Sequence, residues 1–237
     1  MRLHLFEFGD LPWFPRPLHE AMTNYLAVAY ALLPPPVEWA EIIAHSLQAQ
    51  ETEVVVDLCS GGGGPLGGLQ KLLPEATIIR TDLHPREGVR KLDVLHMPAG
   101  VIGVRTMFAA FHHFKPTDAI AILRSAAEER QALCIFEATS RSSLAIVSSI
   151  FIPLLVLLLT PRVRPLSTLQ LVFTYLIPIL PFIIGWDGFV SHCRTYSVEE
   201  LAGLASNAKR EGYTWEALPL KMRGVPFPLP TLIGRPG

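Results

Sequence analysis

The chain has 237 residues, 50% of them apolar and 17% charged, and its 20 Lys+Arg against 21 Asp+Glu leave a formal net charge of −1. That balance excludes a disordered chain, a collagen-like one and a basic coat for nucleic acid, while the length allows one large domain with a substantial core. Cys59, Cys134 and Cys193 are too few and too scattered for a disulfide framework or a four-thiolate zinc site, so a reducing cytoplasmic compartment is expected.

In chain order, the N-terminal MRLHLFEFGD interrupts its apolar residues with Glu7 and Asp10, and no signal-peptide core is expected there. Two helices are predicted at about 18–33 and 37–50, separated by Pro34, Pro35 and Pro36. EVVVDL at 53–58 reads as a buried parallel strand ended by glycines, followed by a helix at about 65–73 and a second β-branched strand at 76–82. A short third strand is predicted near 89–92, a fourth at 103–111, a helix from Pro116 to about Arg130, and a fifth strand at 133–139.

Residues 144–186 then break the alternation: they hold no charge except Arg162 and Arg164. Beyond them, Ser197 and Glu200 form an S-x-x-E capping box at the head of a helix that Gly212 closes, and 213–221 and 230–236 read as an antiparallel pair of closing strands. Strand and helix alternate throughout. The expected fold is a doubly wound, Rossmann-like α/β domain over 1–237, with a seven-stranded sheet, N-terminal helices and an apolar helical insertion at 144–186.

In such a sheet the loop after the first strand holds the ligand. Here it is DLCSGGGGPLGG, residues 57–68. Gly62, Gly64 and Gly67 satisfy G-x-G-x-x-G, with Asp82 twenty residues past Gly62, as in a nicotinamide-binding fold; but four consecutive glycines satisfy almost any glycine pattern. Charge discriminates better. Asp57, Asp82 and Asp93 follow the first three strands, and acids beside the loop repel a dinucleotide's phosphates while favouring the ammonium and sulfonium of S-adenosylmethionine.

VVVDLCSGGGGP, IIRTDLHP, Asp93-Val94, FAAFHHF and LCIFEAT, in that order, resemble the successive motifs of the class I S-adenosylmethionine-dependent methyltransferases over most of the chain outside the insertion. The resemblance implies that Asp57, Cys59, Ser60, Gly61 and Gly63 surround the methionine end, with Cys59 standing where the family has its first loop glycine. It implies further that Asp82 and Leu83 hold the ribose, that Asp93 and Val94 hold the adenine, and that Phe108 borders the reacting methyl group. It also implies that residues 1–50 form a helical lid, with Trp13, Phe14 and Leu18 near the cofactor.

His112 is the candidate general base for an acceptor O–H or N–H. His112 and His113, neighbours on an extended strand, are expected to face opposite ways, and no metal site is expected. Phe111, Asp187 and Tyr196 are the candidate substrate contacts. Cys59 reads as a structural thiol, and Leu58 removes the first glycine of a hydrolase elbow at Ser60.

Each half of the insertion approaches the length of a membrane crossing, but Pro153, Pro178, Pro181 and the two tip arginines argue against two straight spans. A shallow hairpin on the inner membrane face is favoured over packing on the domain or across a homodimer. The expected function is methyl transfer from S-adenosylmethionine to a small, hydrophobic acceptor. A nicotinamide-dependent oxidoreductase and a catalytically silent cofactor-binding membrane protein are the alternatives. Nothing points to nucleic acid, because the arginines form no basic stripe.

Overall fold

The short β-branched runs assemble into a single seven-stranded sheet of order β3-β2-β1-β4-β5-β7-β6 in the computed structural model, which describes residues 2–237. β1 (Val54–Asp57), β2 (Thr77–Asp82), β3 (Arg90–Lys91), β4 (Val104–Phe108) and β5 (Leu133–Phe136) run parallel to one another. β6 (Tyr213–Leu220) pairs antiparallel with β7 (Leu229–Pro236), as expected, and β7 enters antiparallel beside β5, leaving β6 at the edge. β4 and β5 are buried along their whole length, which is why they carry no apolar–polar alternation.

Helices cover both faces. α2 (Val37–Ala49) and α3 (Leu66–Leu72) bury Trp39, Ile43 and Leu69 against Val55, Val104 and Phe136. On the other face, α4 (Pro116–Glu128) and α9 (Val198–Ser206) bury Leu123 and Leu201 against Val56, Met107 and Ile135. The capping box at the head of α9 forms as predicted: the Ser197 hydroxyl accepts from the Glu200 N–H at 3.2 Å, and Glu200 Oε2 accepts from the Ser197 N–H at 2.9 Å.

A third apolar cluster joins α1 (Arg16–Leu32) to the insertion, with Met22 and Tyr25 packed on Val156, Leu180 and Ile184. The insertion opens with α5 (Ser143–Ser148) and α6 (Ile152–Leu159), which run through short 3-10 turns as one helical rod, Ser143–Arg162. α7 (Thr168–Leu171) continues into a π turn and meets α8 (Ile179–Arg194) at an 82° bend at Pro178. α8 runs eight residues beyond 186, so the segment holding Asp187 and Arg194 is helix and not a surface loop.

Further boundaries differ from the sequence expectation: the fifth strand ends at Phe136 and not at 139, and α9 (Val198–Ser206) ends well before Gly212. The fourth strand stops at Phe108 because Ala109 takes φ +48°, and Phe111–His113 form a 3-10 turn. α2 belongs to the sheet core, so of the N-terminal pair only α1 stands over the carboxyl ends of the strands.

Candidate active site

β1 and β4 are neighbours although β2 follows β1 in sequence, so the chain reverses direction of winding between them and leaves a crevice beyond their carboxyl ends. The glycine loop fills one side of it. Cys59, Gly61 and Gly63 all have positive φ, at +57°, +49° and +94°. Cys59 and Ala109, at the ends of adjacent strands, are non-glycine residues held in this costly region, which concentrates backbone strain at the crevice. Gly62 is required for a different reason: a Cβ there would lie 2.3 Å from Thr23 Cγ2, so only glycine lets α1 settle on the loop.

The three strand-end acids do different jobs. Asp57 is buried, accepting from Thr106 Oγ1 at 3.0 Å on one oxygen and from the Ser60 hydroxyl on the other. Burial pushes its carboxyl up to about 7 against those two hydrogen bonds, and it braces the loop from beneath instead of facing the cavity. Asp82 accepts from the Gly61 N–H at 2.9 Å and the His84 N–H at 2.8 Å, clamping the loop to the end of β2. Asp93 caps the short turn Val94–His96 and accepts from the Leu95 N–H at 3.0 Å, with His96 Nδ1 at 2.8 Å.

A cavity of about 610 Å³ lies between the loop, the end of β4, α1, the N-terminal segment and α8. Of the expected site residues, Cys59, Ser60, Gly61, Phe108, His112 and Asp187 line it. Gly63, Asp82, Leu83, Asp93 and Val94 stand outside that wall, on the loop and the β2–β3 side. Trp13 is 70% exposed and does not reach the cavity, because it precedes α1 on the outer side of the segment. Phe111 and Tyr196 are core residues: Phe111 is fully buried, its ring 5.7 Å from that of Tyr196, whose hydroxyl donates to the Phe114 carbonyl at 2.9 Å. Burial, then the nearby Asp82, Asp57 and Asp93, raises the Cys59 thiol to about 12, leaving it neutral and a poor nucleophile.

Asp187 does not meet a substrate-like opening alone. Its carboxylate accepts from the Phe8 N–H at 2.8 Å and the Gly9 N–H at 3.0 Å, tying the N-terminal segment across the cavity. Burial raises its carboxyl and those two bonds oppose the rise. One helical turn on, Ser191 donates to Glu7 at 3.2 Å, and Arg194 donates to the Leu5 carbonyl at 2.6 Å and pairs with Asp10.

A cluster of histidines and acids sits just beyond the end of β4. The His112 backbone N–H donates to Glu137 Oε1 at 2.8 Å, and its Nδ1 lies 2.7 Å from Glu137 Oε2. A carboxylate acceptor assigns the ring proton to Nδ1, which leaves Nε2 as the acceptor. That Nε2 is buried on the cavity wall without a hydrogen-bond partner among the described residues, with Glu7 Oε1 4.0 Å away. Burial raises the Glu7 carboxyl to about 7 despite His113 and Arg194.

The 3-10 turn also overturns the expectation that the two histidines diverge: their ring centroids are 4.4 Å apart, and Glu7, His112 and His113 present ligand atoms within 4.8 Å of one another. A cation already occupies this corner. Arg194 Nη1 lies 3.3 Å from Glu7 Oε1 and 3.4 Å from His113 Nδ1. Sequence reasoning gave no site role to Glu137 or Glu7, and it grouped Arg194 with Asp187 and Tyr196 without placing it beside the histidines. Glu137 alone carried a local signal, an acid placed directly after the four apolar residues of β5.

No family model matches the sequence, and no curated protein is similar to it. Among solved structures, the chain is similar to the plantazolicin methyltransferase in complex with S-adenosylhomocysteine, with a TM-score of 0.60 and 12% identity over 97% of this chain and 94% of that one. It also aligns with an O-methyltransferase from neocarzinostatin biosynthesis in complex with S-adenosylhomocysteine and 1,4-dihydroxy-2-naphthoic acid, at TM-score 0.49 and 16% identity over 94% of this chain. There it spans only 59% of the other chain's length. At such identities the likeness is one of architecture, and together with the sheet order it establishes that this chain has the fold of the class I S-adenosylmethionine-dependent methyltransferases.

Proposed function

We propose that the protein is an S-adenosylmethionine-dependent methyltransferase acting on the hydroxyl of a small, hydrophobic acceptor. The observation that carries this is the buried His112 Nε2, unpaired and on the cavity wall, in a ring whose other nitrogen Glu137 holds. An orphaned acceptor at the end of β4, beside the glycine loop, is what proton removal from a bound hydroxyl requires.

The residues suit the cofactor. The loop from Cys59 to Gly63 takes positive φ at Cys59, Gly61 and Gly63, and a Cβ at Gly61 would meet open space, so a ligand can approach the backbone closely and this stretch would take the methionine end. Asp82, already at the loop, would take the ribose hydroxyls by releasing the Gly61 and His84 N–H groups, and Asp93 and Val94 would border the base. Bound there, S-adenosylmethionine supplies an electrophilic methyl group.

The protein's own part is positioning and proton removal. Met22, Leu26, Ile152 and Ile184 furnish an apolar wall that orients the acceptor and keeps water out. His112 Nε2 takes the hydroxyl proton as the acceptor oxygen becomes the nucleophile, and Glu137 holds the ring in the required tautomer. The resulting imidazolium lies between the carboxyl groups of Glu137 and Glu7. α1 and the N-terminal segment, tied down by Asp187 and Arg194, serve as the lid.

Calorimetric titration with S-adenosylmethionine, S-adenosylhomocysteine and NADH tests the reading. Saturable binding of the first two, weakened at least tenfold in Asp82→Ala, is expected. Binding of NADH alone would overturn it in favour of an oxidoreductase, and cofactor binding without turnover over a panel of apolar phenols and alcohols would reduce the protein to a silent binder.

A further inference from the structure

We infer that the insertion is a lipid-docking face, by which the α5–α6 rod and the α7 turn seat the domain on an anionic bilayer surface. These helices expose a second apolar face besides the one they bury against α1 and α8. Along the rod, Leu144, Val147, Phe151, Leu154 and Leu158 recur three or four residues apart and are all exposed, while the opposite side buries Ala145, Ser149, Val156 and Thr160. The buried hydroxyls donate within the rod, Ser149 to the Ile146 carbonyl and Thr160 to that of Val156. The α7 turn repeats the arrangement, burying Gln170 and Thr174 while exposing Leu171, Tyr175 and Leu176. A helix that meets water keeps one apolar stripe inward and a polar face outward, so consecutive segments that leave a further apolar face exposed suit a hydrocarbon surround. Among the described residues, more than half of the exposed large apolar side chains lie between Leu144 and Phe182, a concentration well beyond the scattered apolar residues of ordinary surfaces.

Charge selects the occupant. No acid occurs from residue 138 to residue 186, and the exposed Arg162 and Arg164 at the end of the rod donate only to backbone carbonyls of their own turn. A second copy of this face would bring those arginines no carboxylate and would lack the polar rim of a protein interface, whereas an anionic headgroup layer pairs with both.

The rod lies along the domain and does not stand away from it. By length and composition it could cross a membrane. However, a Cβ at Gly185 would come 2.8 Å from Pro153 Cγ and one at Gly188 2.4 Å from Ile152 Cδ1, so α6 is seated directly on the backbone of α8. α8 in turn holds the N-terminal segment over the cavity through Asp187 and Arg194. The docking face and the cavity share α6, whose Ile152 lines the cavity beside Leu26 of α1 and Gly188 of α8, which brings the apolar wall of the proposed acceptor site close to lipid.

The test is flotation of the purified full chain with vesicles of phosphatidylcholine alone or mixed with phosphatidylglycerol. Binding to the mixed vesicles, reversed by alkaline carbonate, is expected. Leu154→Glu with Leu158→Glu should weaken it more than tenfold, and Arg162→Gln with Arg164→Gln by roughly 30-fold on anionic vesicles only. Titration of S-adenosylmethionine into the same variants reports folding, so failure to dock and failure of the cofactor reading are separately visible. The inference is overturned if the wild-type chain does not float, if it resists carbonate as a spanning protein does, or if the leucine variants merely turn a soluble dimer into monomers.

Discussion

His112 shows how a single turn decides chemistry. On an extended strand its ring would alternate with that of His113; the positive φ of Ala109 ends the strand and brings both imidazoles to one side, against Glu137 and Glu7. If His112 Nε2 takes the acceptor proton as proposed, His112→Ala should lower kcat by about 10²–10⁴ while leaving S-adenosylmethionine affinity within a few-fold, as steady-state kinetics and calorimetry will show. Glu137→Gln keeps the ring but weakens control of its tautomer, and a smaller kcat loss, of about tenfold or more, is expected. Cys59 stands at the opposite extreme: its thiol is neutral at any physiological pH, and its role is to hold a turn that glycine would adopt at lower cost.

At the scale of elements, the cavity exists because two stretches distant in sequence are fastened together. α8 presents Asp187, Ser191 and Arg194 about one turn apart, and each binds the N-terminal segment. Arg2 continues the strap, its guanidinium 4.0 Å over the Tyr196 ring and donating to the His112 carbonyl at 2.7 Å. Tyr196 therefore supports the site from behind, although it was expected to meet substrate. Asp187→Ala strands the Phe8 and Gly9 N–H groups. Limited proteolysis should then nick residues 2–15 several-fold faster, and the acceptor KM should rise with kcat changed less, because the lid orients the acceptor and does no proton transfer.

Over the whole molecule, two buried acids set the pH dependence of stability. Asp57 and Glu7 both titrate near 7 in the folded protein, above their ordinary values of 3.8 and 4.5. Between about pH 4 and 7 the unfolded chain releases protons that the folded chain retains, so stability falls as pH rises through this window. Asp10 has the opposite sign. Burial would raise it, but the bonds from His113 and Arg194 outweigh that and hold it well below the usual carboxylate range, so its contribution is present above about pH 4 and is lost in stronger acid. A Tm lower at pH 8 than at pH 5, by on the order of 5 °C, is expected in thermal scans, with the slope reduced in Glu7→Gln.

The alternation of strands and helices, the glycine loop, the capping box at Ser197 and the acids at the ends of β1 and β2 were all legible in the sequence, because each rests on periodicity or turn chemistry within a dozen residues. So was the insertion, by its lack of charge. What the sequence left open depends on contacts between distant residues. Asp57 looked like a ligand acid until Thr106, one strand away, closed its second oxygen. Glu7, Glu137 and His112 lie more than a hundred residues apart at the extremes and meet only because β4 and β5 pair and α8 draws the N-terminus inward. Which apolar face of the rod packs on the protein and which stays exposed is not written in its local pattern; it is decided by the side that the glycines of α8 admit.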